Sequence, residues 1–348
     1  MIGFNNENPL SKSEIYDLEQ KYYNSRVIKD SGEINKIDYN AIMQRTTDIF
    51  KDKDFNLPQN IFFIELPCGL TLLGRKILSV LHRNKQLTSL NCSRIDDNMF
   101  IGIIKNYSYN APDIAIEFYP LNDLERKYIF NTIKYDDSID IHFPFTYHDY
   151  ITGAEKTSPK EGWHYYENLD IYLARGEKHI REKTIDYLSR QKINPGTIMY
   201  DPACSTGNFL EEIKNNFPSV YTIGADLSRE MICVAKPKID VAICENAYNS
   251  SIENNSVDYL FLRFLNFHVV TKKEAVEMYK ILLKKVKDNG KIICFGHTPV
   301  LLSKTDLINN QCFLNSSSAY DSEYNSKFQY YVLTKKGCNK YENRFRFR

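Results

Sequence analysis

Residues 201–210, Asp-Pro-Ala-Cys-Ser-Thr-Gly-Asn-Phe-Leu, set an acid, a run of small residues and a glycine between the apolar run 197–201 and an amphipathic segment that starts at Asn208. A strand that turns into a helix through small residues lets backbone amides approach a ligand closely, at the crevice where doubly wound sheets bind nucleotides. Asp226 stands nineteen residues after Gly207, at the end of a second apolar run, 220–226. With Leu227 beside it, an acid there is placed to accept hydrogen bonds from both ribose hydroxyls of an adenosine. Glu245, Asn246 and Ala247 follow a third run, 239–244, and are expected beside the adenine. Two bland readings stand next to these: Asp201 as a strand-end acid capping the turn, and Asp226 as the N-cap of a helix from Ser228 to Ala235. Capping and ligand binding are compatible.

The elements that must position these residues begin near residue 169. A helix over 168–191 is followed by strands at 197–201, 220–226, 239–244, 257–264 and 291–296. Helices from Asn208, from Ser228 and from a capping box at Thr271 to Glu274 lie between them. Apolar runs alternating with amphipathic helices predict an α/β fold with a doubly wound, mostly parallel sheet over 169–336. The run 328–336 reads as an antiparallel edge strand. Residues 1–140 read as an α+β accessory or cap domain, with helices from a capping box at Ser11 to Glu14, over 39–52 and over 121–134. Apolar runs fall between them at 60–66, 99–105 and 113–118. Residues 141–168 form an aromatic-rich linker or lid, and 337–348 a basic tail.

Composition narrows the function classes. Lys and Arg number 45 against 44 Asp and Glu, a net charge of +1, so no global field recruits nucleic acid or an anionic membrane. The eight cysteines form no Cys-x-x-Cys pair, which argues against structural zinc and a disulfide scaffold, and no metal cofactor is expected. The most apolar stretch, 60–81, contains Glu65, Arg75 and Lys76 and is interrupted by Pro67 and Gly69, so it is not read as a membrane span. The opening residues lack the basic start and apolar stretch of a secretion signal, and a cytoplasmic location is expected. A homodimer is compatible with the sequence but not specified by it.

The motif at 201–210, Asp226 and Asn246-Ala247, in this order, resemble the class I S-adenosylmethionine-dependent methyltransferases, over about residues 165–335. The resemblance implies that Asp201, Ala203, Ser205 and Gly207 hold the methionine part of the donor, Asp226 its ribose, and Asn246 with Ala247 its adenine edge. It alone selects S-adenosylmethionine over a dinucleotide. The chain departs from the family at Ala203 and Ser205, where glycines are usual, so the close backbone approach there must tolerate Cβ atoms. The same stretch is similar to the first motif of adenine-N6 DNA methyltransferases. Those enzymes hold a flipped base with a Pro-Pro motif after the fourth strand, where this chain has Arg263-Phe264-Leu265-Asn266-Phe267-His268, and a nucleic-acid substrate is not expected.

Acceptor-side candidates stand at the carboxyl ends of the fourth and fifth strands: Asn266 and His268, then His297 and Thr298. Either histidine is placed to act as a general base or merely to bond backbone at the sheet edge. The exit Phe295-Gly296-His297-Thr298-Pro299 is the preferred acceptor wall. Aromatic rings of the lid, Tyr147, Tyr150, Trp163, Tyr165 and Tyr166 with His164, would stabilise a sulfonium by up to about 2 kcal/mol when desolvated, or simply pack on the sheet. Arg175 is placed to pair with the donor carboxylate, or lies on the surface. The expected function is S-adenosylmethionine-dependent methylation of a small molecule by in-line displacement. Two alternatives stand beside it: attack at the γ-carbon of the donor, as in aminocarboxypropyl transfer or azetidine-2-carboxylate formation, and a non-catalytic binding module.

Overall fold

The computed structural model describes residues 34–51, 61–75, 93–110, 113–145, 159–171, 177–296, 298–308 and 311–337, which build two sheets. The second of these positions the site. Its strands are β7 (Ile198–Asp201), β8 (Tyr221–Asp226), β9 (Val241–Cys244), β10 (Val257–Leu262), β11 (Val286–Phe295), β12 (Cys312–Asp321) and β13 (Ser326–Lys335). They run in the order β12-β13-β11-β10-β7-β8-β9, with β7 to β11 parallel and β13 antiparallel to both of its neighbours. Alternation splits the apolar side chains between two faces. Leu260, Leu262, Ile292 and Cys294 pack under Met278, Tyr279 and Leu282, while Phe261, Ile293 and Phe295 pack under Ile180, Leu188, Phe209 and Ile213. The covering helices are α3 (Lys178–Ser189), α4 (Asn208–Asn216) and α5 (Arg229–Ala235), then α6 (Lys272–Leu283) and α7 (Lys304–Ile308). The capping box opens α6 as expected: Thr271 accepts from the Glu274 amide and the Glu274 side chain accepts from the Thr271 amide.

The first sheet is antiparallel throughout. It consists of β1 (Asp48–Lys51), β2 (Ile61–Glu65), β3 (Thr71–Arg75), β4 (Phe100–Asn110), β5 (Asp113–Pro120) and β6 (Ile141–His142), in the order β1-β5-β4-β3-β2-β6. Two helices accompany it, α1 (Tyr39–Met43) and α2 (Asp123–Ile133), and α2 buries Ile129, Phe130 and Ile133 in the core with Phe62 and Phe100. An Asn122–Glu125 capping box starts α2.

Three expectations need correction. The helix predicted over 39–52 stops at Met43, and Asp48–Lys51 pairs instead with Ala115–Phe118. Thr46 and Thr47, β-branched and poor in helices, fall where the change occurs. The run 328–336 is not an edge strand: β13 lies between β11 and β12, and the true edge, β12, carries three consecutive serines that interrupt its apolar pattern. Of the helix predicted over 168–191, residues 169–171 and α3 (Lys178–Ser189) are helical with a turn at Glu177 opening α3, and 172–176 lie outside the described residues. The helix expected from Ser11 lies outside the described residues.

Because β13 is interior, it is buried on both faces, one apolar and one mixed. Phe328, Tyr330 and Val332 join the core under α3. On the other face Leu333 and the Tyr331 ring join the core with Tyr279 and Leu282, while the polar groups reach residues 134–141: Lys327 Nζ donates to the carbonyls of Lys134 (3.3 Å) and Asp136 (2.9 Å), Gln329 Nε2 to that of Ile141 (2.8 Å), and Tyr331 Oη to Asp140 Oδ1 (2.8 Å). Ser317 N and Ser318 Oγ bond the carbonyls of Asp137 and Ile139 from β12. A ladder of polar side chains thus joins the sheets, and each buried hydrogen bond within it contributes about 0.5–1.5 kcal/mol net.

Candidate functional site

Strand order reverses between β7 and β10, so their carboxyl ends border the crevice in which open α/β sheets bind ligands. The turn after β7 enters that crevice. Cys204 N donates to Ala225 O (2.7 Å) and Gly207 N to Cys204 O (3.0 Å), folding 202–207 back against β8. Ser205 has φ +51° and Gly207 φ +79°, while Ala203 is not among the positive-φ residues described. The departure from the glycine pattern therefore has a physical resolution. Ala203 needs no left-handed backbone, and Ser205 takes one at a cost of about 1–2 kcal/mol. Gly207 is required twice, for its φ and because a Cβ there would stand 2.9 Å from the Ala235 Cβ of α5.

Asp226, at the end of β8, accepts from Ser205 N and Ser228 N, each at 2.9 Å and each on a different carboxylate oxygen. It is not the N-cap of α5, since the Ser228 hydroxyl takes that role by accepting from Met231 N. Every carboxylate oxygen accepts about two hydrogen bonds, so both Asp226 oxygens retain capacity for a pair of hydroxyls. Burial pushes the Asp226 carboxyl up, opposed by the Ser228 and Ser205 amides.

Asp201 is fully buried and its oxygens are used within the protein. Oδ1 accepts from Ala203 N (3.0 Å) and Oδ2 from Arg263 Nε (2.7 Å). Arg263 also donates through Nη1 to Glu177 Oε2 (2.6 Å), and its guanidinium lies 4.8 Å from the Phe209 ring centre. Burial works against the Arg263 cation, but Asp201 and Glu177 outweigh it and raise its pKa. Beyond β9, Asn246 Oδ1 accepts from Tyr248 N and fixes the short turn Ala247–Asn249, while Glu245 Oε2 accepts from Ser251 N and its Oε1 is buried without a partner among the described residues.

The described part of the aromatic segment lies against the start of α5. Gly162 has φ +81°, and a Cβ there would approach Ser228 N to 2.7 Å. Tyr165 N donates to Glu230 Oε2 (2.8 Å), and His164 Nδ1 lies 3.6 Å from Glu230 Oε1. Trp163 and Tyr165, read from the sequence as acceptor-side residues, thus flank the Asp226–Leu227 corner, with half-buried Tyr166 following. On the other side of the crevice, buried Asn266 accepts from His268 N (3.1 Å), and the His268 ring lies 4.0 Å from that of Phe267. Thr298 is buried, and its carbonyl would stand 2.7 Å from a Cβ on Gly296. Ser93 Oγ donates to Gly296 O (3.0 Å), and Val300 N donates to Gln329 Oε1 (2.9 Å). Tyr147, Tyr150, Arg175 and His297 lie outside the described residues.

Sequence reasoning missed Arg263, Glu177, Glu230, Ser93 and Gln329. Arg263 had a readable signal, a cation closing the apolar run Tyr259-Leu260-Phe261-Leu262 at a crevice edge. The others had none, since their partners lie far away in the chain. Among the described residues no group of three or more His, Cys, Asp or Glu side chains could hold a metal ion, and no helix is long and apolar enough to cross a membrane.

Residues 199–290 match the family model of a methyltransferase domain. Through this match the segment resembles the class I S-adenosylmethionine-dependent methyltransferases. The methyltransferase domain makes the chain an S-adenosylmethionine-using transferase, with that sulfonium compound as co-substrate. Over 283 residues the chain is 27% identical to isonocardicin synthase of Nocardia uniformis subsp. tsuyamanensis, covering 80% of this chain and 92% of the relative. Magnesium protoporphyrin IX methyltransferase from Synechocystis PCC 6803 is a structural neighbour at 13% identity and TM-score 0.39, over 50% of this chain and 87% of its own. A further neighbour is an S-adenosylmethionine-dependent methyltransferase from Leishmania major at 10% identity and TM-score 0.38, over 46% of this chain and 74% of its own.

Proposed function

We propose that the chain transfers a methyl group from S-adenosylmethionine to a small molecule by in-line displacement at the methyl carbon. The observation that carries this reading is Asp226, half-buried at the crevice with accepting capacity left on both oxygens, beside the turn through Ser205 and Gly207 in the matched methyltransferase segment. The donor supplies the reactive carbon beside a cationic sulfur; the protein contributes orientation and exclusion of water. In this reading Asp226 binds the ribose, the turn 203–207 the methionine part, Asn246 and Ala247 the adenine edge, and Trp163 to Tyr166 cover the nucleoside. The acceptor enters between Asn266, His268 and the 296–300 loop. A charge balance of +1 and the absence of a Pro-Pro base-holding motif favour a small molecule over nucleic acid.

A second reading keeps the donor site and moves the attack to the γ-carbon of the methionine chain, with methylthioadenosine as leaving group. One observation favours it. The Nocardia uniformis relative, aligned over 80% of this chain and so beyond the methyltransferase domain into the antiparallel sheet, is named a synthase. The test is mass spectrometry of the nucleosides formed from S-adenosylmethionine alone and then with cell extract. S-adenosylhomocysteine formed only with extract supports methyl transfer. Methylthioadenosine formed without extract, above the rate of a protein-free control, means cyclisation of the donor, and methylthioadenosine formed above that control only with extract means aminocarboxypropyl transfer. Donor binding with no turnover of any kind overturns both readings.

A further inference from the structure

Glu177 is the N-cap residue of α3, yet its side chain makes no capping hydrogen bond. The short acceptors Ser, Thr, Asp and Asn are the usual caps at this position, and the longer Glu177 side chain is engaged elsewhere. Arg263 holds it: Nη1 donates to Glu177 Oε2 at 2.6 Å, while Nε donates to Asp201 Oδ2 at 2.7 Å and Nη2 points at the Cys204 carbonyl from 3.5 Å. One planar guanidinium at the end of β10 thereby fixes the end of β7, the turn that follows it and the first residue of α3. A lysine, a single point charge, has no equivalent fork.

The three side chains differ in exposure. Asp201 is 0% exposed and Arg263 8%, whereas Glu177 is 21% exposed, and its Oε1 has no partner among the described residues. With both carboxylates ionised the trio carries one net negative charge, and the accessible part of that charge is Glu177. Such a group attracts a cation and repels a carboxylate. The methionine end of the donor offers both an ammonium and a carboxylate, so the arrangement selects the ammonium.

We infer that Glu177 binds the α-ammonium group of the donor and that Arg263 is the positioning residue that aims it. This rests on the reading above that the turn 203–207 receives the methionine part. The test compares two probes sharing one nucleoside, S-adenosylhomocysteine, which carries the amino-acid end, and methylthioadenosine, which lacks it. Titration of the full chain is expected to show tighter binding of the first. Glu177→Gln should weaken S-adenosylhomocysteine by at least about tenfold and leave methylthioadenosine unchanged. Arg263→Lys should produce the same split, and it retains a cation beside Asp201, so folding is not the quantity read. An analogue of S-adenosylhomocysteine without the α-amino group should be insensitive to Glu177→Gln. Equal losses for both probes, or no loss for either, would overturn the assignment. Failure of the wild-type protein to bind either probe would instead overturn the donor reading beneath it.

Discussion

The proposed donor side and the proposed acceptor side of the crevice are held by different kinds of bond. On the donor side Asp201 accepts from Ala203 and Asp226 from Ser228, two residues on, and Asn246 accepts from Tyr248 in the same manner. On the acceptor side Ser93 reaches Gly296 from 203 residues away, and Gln329, which accepts from Val300, donates to Ile141 from 188 residues away. The proposed nucleoside-facing edge is thus held largely by neighbours in the chain, whereas the 296–300 loop is held by Ser93, ahead of β4, and by Gln329 of β13, which is itself bonded to Ile141 of the antiparallel sheet. An insertion or exchange in that sheet can reshape the acceptor wall while leaving Asp226 and its turn in place.

The contrast is broken most directly at Asp226. Asp226→Ala removes the proposed ribose contacts and strands the Ser205 and Ser228 amides, so donor affinity in an S-adenosylhomocysteine titration is expected to fall about a hundredfold or more. Unchanged affinity would place the ribose elsewhere.

The polar ladder gives the next largest effect, read as stability against pH. Burial pushes the Lys327 amine down from 10.5 to about 8, against the pull of Asp137 and Asp136. Between those values the unfolded chain binds more protons than the folded one, so stability rises with pH across the window. The expected gain is on the order of 2 kcal/mol from pH 8 to pH 10. Thermal melts should show this rise in the wild type and lose it in Lys327→Met; a parallel rise in both would exclude Lys327 as its source.

Gln329→Leu then tests the acceptor side alone. It leaves the Val300 amide and the Ile141 carbonyl without their partner, at about 1–3 kcal/mol for each buried group. Faster hydrogen exchange at Val300 and slower turnover are expected, with donor affinity kept within about twofold. Loss of donor affinity comparable to that of Asp226→Ala would show that the two sides are one mechanical unit.

The smallest effect is expected at the lid. Gly162→Ala forces a Cβ toward Ser228 N at a positive φ, so the aromatic segment should lift from α5 at a cost of about 1–2 kcal/mol. Donor affinity is expected to drop severalfold, with the melting temperature of the sheets unmoved. A gain in affinity would mean that the segment obstructs the site in the free protein.

Much of the parallel sheet could be read in advance because its signals are local. Each apolar run with its flanking acid or glycine marks a strand end, and the box at Thr271 marks a helix start. The serine-rich edge strand and the interior position of β13 could not, because Ser317, Ser318, Lys327 and Gln329 look solvent-facing until their partners at 134–141 are placed opposite them. The strand β1 was hidden for the same reason, its conformation being settled by pairing with β5.

At the site the division is similar. By itself the sequence determined the turn between β7 and α4, the acid closing β8 and the order in which they occur, since these depend on neighbours within a few residues and on backbone angles that few residue types tolerate. Only the tertiary structure decided that Arg263 joins Asp201 to Glu177, that the lid rests on Glu230, and that the acceptor loop hangs from Ser93 and Gln329. Those contacts bring together residues 62, 86, 65, 203 and 29 positions apart. Their loop-closure entropy is offset only once both sheets have buried their cores, and local residue preferences carry no record of that event.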